Sequence, residues 1–211
     1  MLFYLEQDYS FAVLRPLQAA AIKRGHQVRW LLVENASKKL LEPGEEAVAD
    51  IDSAITYDPE VVFAPGDQMP GFIPGLKVQV FHGLNEDKRG NNYPDRGLFD
   101  LFCTEGPIRT NMLKPLEKKR GYFRVRETGW PKLDALLKQP RDQQSYNRPQ
   151  ILFASTFTPR LSGAEALHPE IKRLSQKSQW QWLVTLHPKM ASETVERYRS
   201  LEGENLSYFE T

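Results

Sequence analysis

The chain has 211 residues, 40% of them hydrophobic, enough for one large or two small domains with a packed core. Its 28 Lys and Arg nearly balance 27 Asp and Glu, and the net charge of +1 gives no global attraction for nucleic acid, so an anionic partner has to be met by local basic groups. The single cysteine, Cys103, excludes an internal disulfide and a cysteine-rich zinc site; the opening MLFYLEQDYS lacks a signal-peptide pattern and no apolar run nears the ~18 residues of a membrane span, which points to a cytoplasmic protein.

Short apolar runs alternate with segments of helical period. LFYL (2–5) is a strand, and FAVLRPLQAAAIKRG (11–25) places Phe11, Leu14, Leu17, Ala21 and Ile22 on one helical face ahead of a Gly25 stop. QVRWLLV (27–33) completes a βαβ opening. Further strands are expected at VVFA (61–64), KVQVF (77–81), DLFC (100–103) and FRVRE (123–127), with helices after Pro107 and after Pro131. The polar, proline-bearing stretch 138–150 reads as a linker. The rhythm then restarts with ILFAS (151–155), a helix over Ala164 to Ser178, WQWLVTL running up to His187, a helix over Ser192 to Leu201 and NLSYF (205–209). Strands interleaved with helices imply mostly parallel sheets, an α/β chain.

In open α/β sheets ligands bind beyond the carboxyl ends of the strands. The residues there are His82-Gly83, Thr104-Glu105-Gly106, Thr128-Gly129, Ser155-Thr156 and His187-Pro188-Lys189. The run VQVFHGLNEDKRGNN (78–92) is the richest: a strand ends in His-Gly, then a loop carries Glu86, Asp87, Lys88 and Arg89. A lone histidine after a strand is more often a structural hydrogen-bonder than a catalyst, although its ordinary pKa suits a general base near neutrality, and Gly83 would let the backbone turn tightly. His26 and His168 read as structural or solvent-exposed, and Cys103 as a small buried hydrophobe. Lys118, Lys119, Arg120, Arg124 and Arg126 form a basic cluster that is either a solvated helix end or a peripheral contact for an anionic bilayer.

Four ordered motifs, FHGLNEDKRG, ETGWPKLDAL, ILFASTF and LVTLHPK, resemble the CDP-glycerol glycerophosphotransferases of teichoic acid synthesis, from about residue 60 onward. The resemblance implies two Rossmann-like domains of the GT-B type: an acceptor domain over 1–137, a linker over 138–150, and an incomplete nucleotide-donor domain over 151–211. It implies CDP-glycerol or a similar nucleotide-activated donor as substrate, no covalently bound cofactor, and a lipid-linked or polymeric hydroxyl acceptor at the inner face of the membrane; metal dependence stays open. Site residues implied are His82 as base, with Gly83, Lys88, Arg89, Lys132, Thr156, His187 and Lys189 binding substrate, His187 facing His82 across a cleft.

The chain departs from that pattern in three places. Lys88 stands six residues after the histidine where the family has five, Phe157 and Thr158 replace a tryptophan and a basic residue, and the sequence ends before the family's Asp-x-Ser-Ser phosphate-binding segment. A fragment of a longer enzyme or a natural truncation is therefore expected. Two alternatives stand beside the transferase. One is an enzyme of the UDP-sugar 2-epimerase type, which uses the same architecture and needs acid–base carboxylates such as Glu86, Asp87 or Glu105. The other is a non-catalytic, truncated binding protein.

Overall fold

The computed structural model describes residues 1–33, 36–84, 96–138, 148–177 and 179–210. The chain divides into two compact units, Met1–Pro140 and Arg141–Thr211. Most of the expected linker, 139–147, lies outside the described residues, as do the loop residues Glu86, Asp87, Lys88 and Arg89.

In the first unit the elements run β1 (Leu2–Leu5), α1 (Ser10–Lys23), β2 (Arg29–Leu32), α2 (Ile51–Tyr57), β3 (Val61–Ala64), β4 (Leu76–Val80), β5 (Leu101–Thr104), α3 (Pro107–Arg120), β6 (Arg124–Glu127) and α4 (Lys132–Lys138). The six strands pair in parallel in the order β2-β1-β3-β4-β5-β6. Side chains alternate between the sheet's two faces, so each strand feeds two cores. Leu2, Tyr4, Val62, Phe102 and Val125 meet Ala54 of α2 and Leu113 of α3 on one face. Phe3, Leu5, Val78 and Val80 meet Phe11, Val13, Leu14 and Ala21 of α1 on the other. Burial on both faces is what parallel strands of this composition require.

Two local details differ from the sequence expectation. Ile22, expected on the buried face of α1, is 55% exposed. Ala21 of the same turn is buried, so the buried face of α1 runs through Leu14, Gln18 and Ala21 and Ile22 falls on its flank. The helix α2 has too short an apolar pattern to be legible; its start is fixed by Asp50, whose carboxylate accepts the Ser53 N–H at 2.8 Å. Ahead of β4, Gly75 has φ +86°, and a Cβ there would lie 2.0 Å from Pro59 O.

The second unit is β7 (Gln150–Ser155), α5 (Ala164–Ser175), β8 (Gln181–Leu186), α6 (Ser192–Arg199) and β9 (Leu206–Phe209), a parallel sheet in the order β7-β8-β9. Trp182, Val184, Leu186 and Leu206 pack on Ala164 and Ile171 of α5 and Tyr198 of α6, with Ile151 and Phe153 at the margin. Leu152 and Phe209 are 67% and 50% exposed, so among the described residues the helices cover one face of this sheet.

Candidate active site

The chain order reverses at β1, which has β2 on one side and β3 on the other. Loops leaving the carboxyl ends of such neighbours diverge and open a crevice. Past the carboxyl ends of the strands stand Glu6 and Tyr9 after β1, Pro65, Gly66 and Asp67 after β3, His82 after β4, Glu105 after β5 and Thr128 after β6. Tyr4 donates its hydroxyl to Glu6 Oε1 at 3.3 Å, and a Cβ on residue 66 would lie 3.1 Å from Glu6 Oε2, so glycine there makes room for the carboxylate. Buried Gln79, on β4, donates its amide to Gly66 O at 2.8 Å and ties the loop after β3 to the neighbouring strand.

His82 sits two residues beyond β4, where the ladder to β5 has ended at Val80 opposite Cys103. Its Nδ1 lies 2.9 Å from Pro65 O. A carbonyl only accepts, so Nδ1 carries a proton, and in the neutral ring Nε2 is the basic nitrogen. The Tyr9 ring lies against the imidazole at a centroid distance of 5.0 Å. The carbonyls on either side of His82 are each taken by a side chain from a distant element: Trp130 Nε1 donates to Phe81 O at 2.8 Å, and Arg109 Nη2 donates to Gly83 O at 2.9 Å. Glycine at position 83 is not what aims the ring. Gly83 is outside the positive-φ glycines, and a Cβ there would meet no described atom within 4 Å, so the turn expected from the sequence is held by these side chains instead. Gly129 does use the left-handed region, at φ +81°, where the chain turns from β6 into α4.

Arg109 joins two strand ends. It is 3% exposed, meets Glu105 Oε2 at 2.9 Å without hydrogen-bond alignment, and lays its guanidinium 3.8 Å from the centroid of the Phe81 ring. Burial pushes the Glu105 carboxyl above its ordinary range, against a backbone hydrogen bond that lowers it, and burial pushes Arg109 down to about 10. The result is a carboxyl with a raised proton affinity beside the His82–Gly83 turn. The sequence reading named Glu105 only as an alternative and missed Arg109, Trp130 and Tyr9. Glu105 precedes α3 and Arg109 lies in its first turn, so the pair has no helix-face signal in the sequence, and Trp130 and Tyr9 have none either.

The other expected site residues fall in separate places. Lys132 is exposed at the start of α4, its Nζ 5.6 Å from the Trp130 ring centroid. In the second unit, Thr156 follows β7 and His187 follows β8. His187 Nδ1 accepts the Lys189 N–H at 3.0 Å, so its proton is on Nε2 when neutral, the opposite tautomer to His82, and its ring lies 4.5 Å from that of Phe157. His168 Nε2 contacts Arg197 O at 3.3 Å with its ring edge-on to Tyr198, a structural placement, and His26 is exposed. Cys103 is half-buried and its thiol is pushed up by burial. Lys118, Lys119 and Arg120 form the last turn of α3, where cations complement the helix dipole. Among the described residues no group of three or more His, Cys, Asp or Glu could hold a metal ion, and no helix is long and apolar enough to cross a membrane.

No protein-family model matches the chain. No curated protein matches it in sequence. Solved structures do match it in shape. S. aureus MnaA solved with UDP is 15% identical with a TM-score of 0.67, the alignment covering 99% of this chain and 67% of that one. UDP-GlcNAc 2-epimerase from Neisseria meningitidis bound to UDP-GlcNAc is 12% identical with a TM-score of 0.53, covering 100% and 72%. The glycosyltransferase SnogD from Streptomyces nogalater is 15% identical with a TM-score of 0.52, covering 100% and 71%. The fold is of the GT-B type. At this identity the likeness carries the architecture of two Rossmann-like units, and the resemblance to glycerophosphotransferases is supported to that level and no finer.

Proposed function

We propose that this chain handles a nucleotide-activated sugar and belongs to an acid–base enzyme of the UDP-sugar 2-epimerase type. The observation that carries the reading is Arg109, which links the Glu105 carboxyl at the end of β5 to the His82–Gly83 turn at the end of β4. Inverting a carbon stereocentre takes a proton from one face and returns one to the other, so it needs two proton-handling groups of suitable affinity. A carboxyl raised by burial and an imidazole with Nε2 as its basic nitrogen are such a pair. The shape of the chain agrees with this reading, because the relatives include a UDP-GlcNAc 2-epimerase. Incubation with UDP-N-acetylglucosamine in D2O should place deuterium at C2 of the sugar and form the 2-epimer. Glu105→Gln and His82→Asn should each reduce that exchange by about two orders of magnitude, the range for losing an acid–base group. Absence of C2 exchange by the native chain would remove the epimerase reading.

A second reading, glycerol phosphate transfer from CDP-glycerol to a hydroxyl acceptor, is favoured by the opposite tautomers of the two strand-end histidines. His82 would accept the hydroxyl proton, while His187 Nε2–H and Lys189 would donate to the donor pyrophosphate. CMP release from CDP-glycerol, without deuterium entering any sugar, would select it. The basic end of α3 would on that reading face the lipid-linked acceptor.

A further inference from the structure

Phe81 stands one residue past the end of β4, so its carbonyl has left the hydrogen-bonded ladder and needs an acceptor's partner from elsewhere. The partner is an indole N–H from a residue 49 positions away, Trp130, in the turn between β6 and α4. On the far side of His82, the Gly83 carbonyl is taken by Arg109, 26 positions away. The Phe81–His82 peptide is thus pinned directly, and the Gly83–Leu84 peptide is pinned one residue further on, by bonds of 2.8 and 2.9 Å. The ring's own anchor, Pro65 O, belongs to a loop fixed by Gln79.

We propose that Trp130 is a positioning residue for His82: its indole N–H holds the Phe81–His82 peptide in the orientation that keeps the imidazole on Pro65 O and so keeps Nε2 as the basic nitrogen. The proposal rests on the reading of His82 as a proton-handling group. Arg109 is less separable, since it also carries the Glu105 ion pair and the Phe81 ring contact. Trp130 acts through a single donor that phenylalanine lacks while keeping an aromatic ring, so Trp130→Phe isolates the hydrogen bond. Rigid placement of a reacting group within tenths of an ångström is where such supports act, and its loss lowers turnover more than substrate binding.

The experiment uses the 211-residue chain with 15N-labelled histidine. In the native chain the His82 Nδ1 and Nε2 signals should be well separated, with the proton on Nδ1. In Trp130→Phe they should move toward the averaged values of a ring exchanging between tautomers, with a melting temperature within about 5 °C of native, the shift for roughly one hydrogen bond. Where C2 exchange is measurable, kcat should fall about 10-fold with KM held within about two-fold. An unmoved His82 signature in folded Trp130→Phe overturns the proposal, whatever the activity. If that variant does not fold, the decision passes to His82→Asn, in which the Trp130 indole N–H resonance must shift because its acceptor is the carbonyl preceding residue 82; an unmoved indole resonance overturns it. A moved signature in a chain that shows no C2 exchange supports the positioning and removes only the epimerase reading.

Discussion

Replacing Arg109 by methionine tests the buried pair at the centre of the first unit. The side chain is 3% exposed, and its charge lies 2.9 Å from Glu105, whose own side chain is 9% exposed. Removing one partner of a buried pair leaves the other charge uncompensated, at about 3–5 kcal/mol, and the face-on contact with Phe81 at 3.8 Å is lost as well. For a unit of this size the stability loss should appear as a melting temperature lower by about 10–15 °C. The loss should depend on pH. Without the guanidinium the Glu105 carboxyl is raised by burial alone, so its folded pKa lies above the unfolded value of 4.5; stability is then retained below that value and lost as pH rises through the folded pKa. Thermal melts followed by circular dichroism at pH 4 and pH 8 should therefore show Arg109→Met less impaired at the acid end. The double variant Arg109→Met/Glu105→Leu, which replaces both charges with apolar groups, should recover most of the loss at pH 8. A shift below about 3 °C for the single variant, or a double variant no better than the single, would refute the reasoning.

Gly75→Ala places a Cβ 2.0 Å from Pro59 O at a φ of +86°, so it should destabilise the first unit by more than about 3 kcal/mol, read as a lowered urea midpoint; a change under 1 kcal/mol would mean the turn before β4 yields easily. In the second unit the Tyr198 hydroxyl is fully buried, donates to Ala164 O at 2.6 Å, and is pushed up to about 12 by burial and then by the Glu165 charge. A folded pKa raised above the ordinary 10 supplies stability that is intact below pH 10 and lost between pH 10 and 12, on the order of 3 kcal/mol in all. Alkaline titration of the native chain monitored by tryptophan fluorescence should show that loss, and Tyr198→Phe, about 1–3 kcal/mol less stable at pH 7, should lack it.

Local patterning was enough to read much of this protein. Apolar runs such as LFYL and VVFA, set between helical periods, define an α/β chain because strands buried on both faces must be apolar at successive positions, and polar residues at strand ends mark the edge where a crevice forms. The placement of His82 at the end of a core strand was legible for that reason, as were the turn at Gly129 and the restart of the rhythm after residue 150. Tertiary structure alone decided what surrounds His82. The sequence suggested a tight turn at Gly83, whereas the ring nitrogen meets Pro65 O, and Trp130 and Arg109 donate to the carbonyls of Phe81 and Gly83, 17, 49 and 26 positions apart in sequence. Hydrogen bonds between such distant positions leave no period in the sequence, because they depend on which strands become neighbours, and the order β2-β1-β3-β4-β5-β6 is set by packing over the whole sheet. The same holds for Glu105: its pairing with Arg109 and its raised proton affinity exist only because the folded chain brings the two side chains together and withdraws the carboxyl from water.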